Sequence, residues 1–141
     1  MKNLFFVTAL IGLMILTLSS CKNDDSSPSS DVTNTIEQGT WRITYFNDSG
    51  TDELYHFTGY NFTFKNGIVT ATKSGSATVT GTYSDGNDDS QKKFIMNFGS
   101  AEPWEELSED WVVLERTTSK IRLQHVSGGN GGTDTLTFEK N

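Results

Sequence analysis

From Gly39 onward the chain alternates apolar and polar side chains in short runs rich in Thr, Val, Ile, Phe, Tyr and Trp, separated by Gly, Asn, Asp and Ser at fairly even spacing. A period of two sends successive side chains to opposite faces, so runs of this kind bury one face as β-strands. They lie at 40–47, 54–65, 67–73, 76–84, 92–98, 111–117, 120–127 and 133–140. The breaks Asn66-Gly67, Ser74-Gly75 and Thr118-Ser119 are hairpin-sized, which makes sequence neighbours antiparallel neighbours in space. Eight strands joined this way form a meander, and closing the meander removes the two unpaired edges of a flat sheet. The predicted fold class is all-β, an eight-stranded antiparallel up-and-down barrel.

The same period assigns the faces. Trp41, Ile43 and Tyr45 share one side of the first strand, and Tyr60, Phe62 and Phe64 one side of the second. Val79, Tyr83, Phe94, Met96, Phe98, Ile121, Leu123, Leu136 and Phe138 continue the inward set. In 111–117 two registers compete, Trp111 with Val113 against Val112 with Leu114, and Trp111 is taken as inward. The one helical stretch inside the domain, 102–110, falls between the fifth and sixth strands. Pro103 suits a first helical position, Ser100 is a candidate cap, and Trp104 with Leu107 forms an apolar face. Such a helix either lids the barrel mouth or serves as a connection that covers the core.

The beginning of the chain has a different character. Lys2 precedes Leu4 to Leu18, 15 residues without a charge, which is a signal-peptide core and shorter than the roughly 17 to 25 residues of a membrane-spanning helix. Leu18-Ser19-Ser20-Cys21 follows and resembles a bacterial lipobox, in which the cysteine is acylated after cleavage before it; the alternative is a plain secretory signal with a chance cysteine. Cys21 is the chain's single cysteine, so no internal disulfide is available and packing alone must hold the domain. Acyl chains contribute about 0.8 kcal/mol per buried methylene, so two or three of them anchor firmly.

Residues 22–38 open with Asp24-Asp25 and a Ser/Pro-rich run that has little to bury, which reads as a tether. Asp31 is a candidate cap for a single helical turn through Ile36. Lys22 followed by the acidic pair also resembles the surface-export signal of Bacteroidetes-type lipoproteins, with a solubilising linker as the equal alternative. The expected divisions are 1–20 leader, 21–38 acylated Cys21 with its tether, and 39–141 barrel. Without the leader the chain has 10 basic and 18 acidic side chains. That balance repels phosphate backbones and excludes nucleic acid as an expected partner.

Gly39-Thr40-Trp41 matches the Gly-x-Trp opening of the first lipocalin strand, and with the eight-strand meander it makes residues 36–141 resemble the lipocalin-like (calycin) families. The short lipocalin-like lipoproteins of bacterial surfaces are the nearest in kind, through 103–115 and 127–140. The resemblance implies that Trp41 packs at the closed end beneath a basic side chain from a late strand, for which Arg122 is the candidate. It also implies a small apolar ligand, and Tyr45, Tyr60, Tyr83, Trp104 and Trp111 are its candidate contacts. The domain reads as shorter than typical lipocalins, and no helix is expected after its last strand. An eight-stranded barrel holds one small ligand or is filled by its own side chains: the aromatic inward set either packs it solid or lines a shallow apolar pocket near the mouth, where Tyr45, Tyr60 and Tyr83 would orient a ligand through their hydroxyls.

Signals for chemistry are sparse. His56 and His125 stand 69 positions apart with no cysteine in the domain, which does not make a zinc motif. Asp85 to Asp89 opens like a calcium loop but has Ser90 and Met96 where the loop's glycine and glutamate belong, so a solvated turn is expected. The acids of 102–110 read as a solvated face and the glycines of 128–132 as a hairpin loop. No enzyme, cofactor or metal is expected. The expected protein is a monomeric domain held to the outer membrane through Cys21, with a lean to the cell surface. It carries an apolar ligand or, with a solid barrel, acts as an interaction or envelope-structural module through loops 48–53, 85–91 and 128–132.

Overall fold

A computed structural model of the protein describes residues 32–88, 90–127 and 131–141. The leader, Cys21, the tether through Asp31, Asp89 and 128–130 lie outside the described residues. Strand β1 spans Thr40–Asp48, β2 Thr51–Asp52, β3 Asn61–Lys65, β4 Ile68–Thr72, β5 Val79–Asp88, β6 Gln91–Asn97, β7 Asp110–Arg116, β8 Lys120–Val126 and β9 Thr133–Lys140. All ladders are antiparallel and sequential, and β1 pairs with β9 from Trp41–Lys140 to Asn47–Thr135. That pairing closes an eight-stranded up-and-down barrel, to which the two-residue β2 is a short flap folded back on β1.

A five-residue helix, α1 (Val32–Ile36), closes one end, and two 3-10 turns, Leu54–His56 and Trp104–Leu107, close the other. The first end is called the closed end below and the second the mouth. Val32 and Ile36 are buried in the same core as the strands, so the core draws on residues that sequence reading assigns to the tether. Each end cap is tied to the barrel by a buried indole. Trp41 Nε1–H donates to the Ile36 carbonyl at 2.7 Å, and Trp111 Nε1–H donates to the Leu107 carbonyl at 3.2 Å. A buried indole left unbonded would cost the desolvation of its N–H, so both caps sit where they satisfy one.

Two bulges revise the predicted faces. Between Ile43 and Tyr45 the β1–β9 register shifts by one residue, which turns Tyr45 outward, 49% exposed, and brings Phe46 into the core. An extra residue in one strand reverses the alternation for all that follows it. A second bulge between Val113 and Glu115 leaves Leu114 46% exposed and points Arg116 toward the closed end, where Nη1–H donates to Thr35 Oγ1 at 2.7 Å. Upstream of that bulge Trp111 is fully buried, as the chosen register required.

The predicted strand 54–65 divides. Leu54 and Phe57 are three residues apart and both pack toward the core, a spacing the 3-10 turn supplies. Gly59 at φ +84° then reverses the chain into β3. Strand β5 starts later than predicted and runs on through Asp88, so Asp85 to Asp88 are ladder residues opposite Phe94 to Gln91 and not a loop. The predicted helix over 102–110 contracts to the 3-10 turn Trp104–Leu107. Its first N–H groups go to the Ala101 carbonyl and no side chain caps it, so the Ser100 cap is not made. Trp104 and Leu107 do face inward, 8% and 0% exposed.

At the closed end Gly39 has φ +110°, and a Cβ there would come within 2.8 Å of Lys140 Cε. The cation nearest the Trp41 ring is Lys140, with Nζ 6.0 Å from the ring centroid. Arg122 does not fill that role: it lies on the outer face, 3.5 Å from Glu115. Even alternation from Arg122 to Leu123 puts the arginine outside wherever the leucine is inside.

Candidate functional site

Along the barrel axis the interior is filled by rings. Phe62 and Phe64 each meet Phe138 edge-on at 5.4 and 5.7 Å, Phe64 meets Tyr83 at 5.2 Å and Phe94 at 6.1 Å. Trp41, Trp111, Met96, Ile121, Leu123 and Leu136 complete the packing with essentially no exposure. Among the described residues three clefts lie off the barrel axis. One of about 530 Å³ lies where β6 and β7 separate beyond the Lys93–Val112 pair, beside Val32 and Thr33. One of about 430 Å³ lies on the outer wall around Ile68 and Asn97, and one of about 420 Å³ lies at the mouth.

The five aromatic residues predicted to contact a ligand are not gathered into one pocket. Tyr45 is on the outer wall. Tyr83 is 5% exposed and at the closed end, where its hydroxyl donates to Glu37 Oε1. Glu37 Oε1 also accepts the Asn66 backbone N–H, so this carboxylate pins the end of α1 to the β3–β4 hairpin and to β5. Burial, and then the bond to Glu37, push the Tyr83 phenol up to about 12. Trp111 is inside the wall at β7. Only Tyr60 and Trp104 meet, edge-on at 5.1 Å at the mouth. Phe57, Phe62 and Phe98 occupy the remaining surroundings of the Trp104 ring.

The mouth is distinguished by charge. Topology collects Asp48, Asp52, Glu53, Glu102, Glu105, Glu106, Glu109, Asp110 and Asp134 there, with Lys73 at that end and the Lys93 ammonium reaching Asp110 Oδ2 at 3.4 Å from further along the wall. The other half of the barrel holds Arg42, Lys65, Lys92, Lys93, Arg116, Lys120, Arg122 and Lys140 against five described carboxylates. The mouth cleft is lined by Asp48, Glu105, Glu106, Glu109 and Asp134 around Phe46. Burial and the crowding of like charges raise the pKa of three of these carboxyls. Glu106 is pushed up to about 7, first by burial and then by Glu53 and Asp48, with His56 opposing. Asp134 is raised by burial and by a hydrogen bond shared with Asp48, and Glu105 by its bond to Glu102.

Two histidine–carboxylate groups sit in this half of the molecule. Glu53, His56 and Glu106 each bring a ligating atom within 4.8 Å of the others, and so do Glu109, Asp110 and His125. In the second group His125 Nε2 is 3.5 Å from Glu109 and Nδ1 3.3 Å from Asp110, on the more exposed outer wall. Sequence reasoning missed both, because each joins a local pair, Glu53 with His56 or Glu109 with Asp110, to a third residue from a distant element that only the folded topology supplies. Among the described residues no helix is long and apolar enough to cross a membrane. Comparison with family models, curated proteins and solved structures finds no match for this chain.

Proposed function

We propose that this protein is a lipid-anchored envelope module, not an enzyme, whose solid barrel works through its outer surface and presents the acidic mouth to partners. The observation that carries this reading is the filled interior: an eight-stranded barrel whose axis is occupied by Phe, Trp and Leu side chains leaves a ligand no room along that axis. The apolar-carrier alternative has the Tyr60–Trp104 pair in its favour, but that indole is 8% exposed and already surrounded by rings. Anchorage rests on Leu18-Ser19-Ser20-Cys21 after its apolar run. The described chain starts at Val32 at the closed end, and a tether that enters there from Cys21 would favour turning the acidic mouth away from the bilayer.

Native mass spectrometry of the detergent-solubilised protein from its own membranes tests both halves. The expected spectrum is that of the acylated chain with no additional small molecule, and Cys21→Ser moves the protein to the soluble fraction. A stoichiometric co-purifying ligand would overturn the solid-barrel reading. An unacylated Cys21 in membrane-bound protein would overturn the anchor.

A further inference from the structure

We propose that Glu53, His56 and Glu106 form a binding site for a divalent transition metal of the zinc type, which joins the two turns that close the barrel mouth. The local folding explains why these three meet. A 3-10 turn has three residues per turn, so side chains at i and i+3 eclipse. Glu53 and His56 hold that relation about the turn Leu54–His56, and Nε2 of the histidine lies 3.2 Å from Oε2 of the glutamate. Glu53 is itself fixed by its N–H donating to the Phe46 carbonyl at 3.1 Å. Glu106 arrives from the other turn, whose position is set by Trp104 packing on Phe57 at 5.6 Å and on Tyr60 at 5.1 Å.

The second, independent observation is a carboxylate oxygen with nothing to bond. Glu106 Oε2 is the one buried side-chain oxygen or nitrogen among the described residues without a hydrogen-bond partner. A buried acceptor left unsatisfied is costly, and more so when charged, and a cation beside it would relieve that cost. The donor chemistry fits a divalent ion: two carboxylates balance its charge and a neutral imidazole adds the nitrogen that zinc-type metals accept. Ligand atoms in a tetrahedral zinc site are about 3.3–3.6 Å apart for bonds of about 2.0–2.2 Å. The His56–Glu53 separation already lies near that range, and Glu106 is within 4.8 Å. Three protein ligands leave a fourth position for water or for a donor from a partner. All three residues are part-exposed, which gives the ion an entry path from the mouth.

The test is isothermal titration of the EDTA-stripped full chain in detergent with zinc chloride, alongside thermal unfolding with zinc or with magnesium at equal ionic strength. Cobalt serves as a spectroscopic stand-in. The expected result is one saturable zinc site, a rise in unfolding temperature with zinc and not with magnesium, and cobalt absorption bands of a low-coordinate site. Glu106→Gln and His56→Gln should each weaken binding by about tenfold or more, roughly the loss of one ligand, whereas His125→Gln should leave it unchanged. Should a Glu106 variant fail to fold, Glu53→Gln carries the same expectation. No saturable zinc binding, or binding that survives both His56→Gln and Glu53→Gln, would overturn the site. Loss of binding in His125→Gln alone would overturn it in favour of the outer-wall group.

Discussion

A single phenol, Tyr83, shows how the closed end is fastened. Its ring packs between Phe64 and Phe94, and its hydroxyl donates to the Glu37 carboxylate just after α1, which also accepts the Asn66 N–H. Hydrogen bonds to charged acceptors contribute about 1.5–3 kcal/mol, so Tyr83→Phe should lose roughly 1–2 kcal/mol at neutral pH while keeping the ring. The pH dependence follows first from the burial of the phenol and then from the same contact. With its folded pKa raised to about 12 from an ordinary 10, the neutral phenol stabilises the fold fully below pH 10, and that contribution is lost as pH rises through 12. Urea unfolding of both proteins between pH 7 and 12 should show the gap closing above pH 10. Parallel stability curves over that range would mean the hydroxyl does not hold this end.

At the scale of elements, α1 has five residues, far too few to persist by its own hydrogen bonds, so its existence depends on what receives it. Asp85, from β5, accepts the Val32 and Thr33 N–H groups at 3.0 and 3.1 Å and does from a distance what a local cap does. Asp85→Ala should therefore destabilise the protein by about 1–2 kcal/mol and expose the amides of 32–36 to fast hydrogen exchange. Asp88→Ala, on the exposed end of the same strand, should do neither. Equal exchange in the two variants would deny Asp85 this role. The strands were legible because a period of two survives in the sequence: β1, β4, β6, β7, β8 and β9 fall within a residue or so of their predicted bounds. What escaped was set by tertiary contact. The bulges after Ile43 and Val113 leave no mark in composition, and Leu54-Tyr55-His56-Phe57 alternates well enough to pass for a strand until Gly59 turns the chain. The cap by Asp85 and the Glu53–His56–Glu106 group join positions some 50 apart, which only the closed topology brings together.

For the molecule as a whole, the formal charge of −7 conceals a division that matters more. The nine strand residues of β1, at about 3.3 Å each and tilted about 40°, set the two ends roughly 20–25 Å apart. That exceeds the Debye length of about 8 Å at physiological salt, so each end interacts with its own surroundings nearly independently of the other. In the anchored protein proposed above, anionic headgroups should repel the acidic mouth and leave facing them the tether end, where nine basic side chains balance nine acidic ones. Orientation can be measured directly with Thr118→Cys at the tether end and Ser100→Cys at the mouth, both exposed positions, in protein whose Cys21 is acylated. On vesicles rich in anionic lipid a membrane-impermeant maleimide should label position 100 several-fold faster than position 118. High salt, by screening the headgroups, should bring the two rates together. Equal rates at low salt would show a barrel that tumbles freely on its tether, and the acidic face would then have no fixed direction in which to meet a partner.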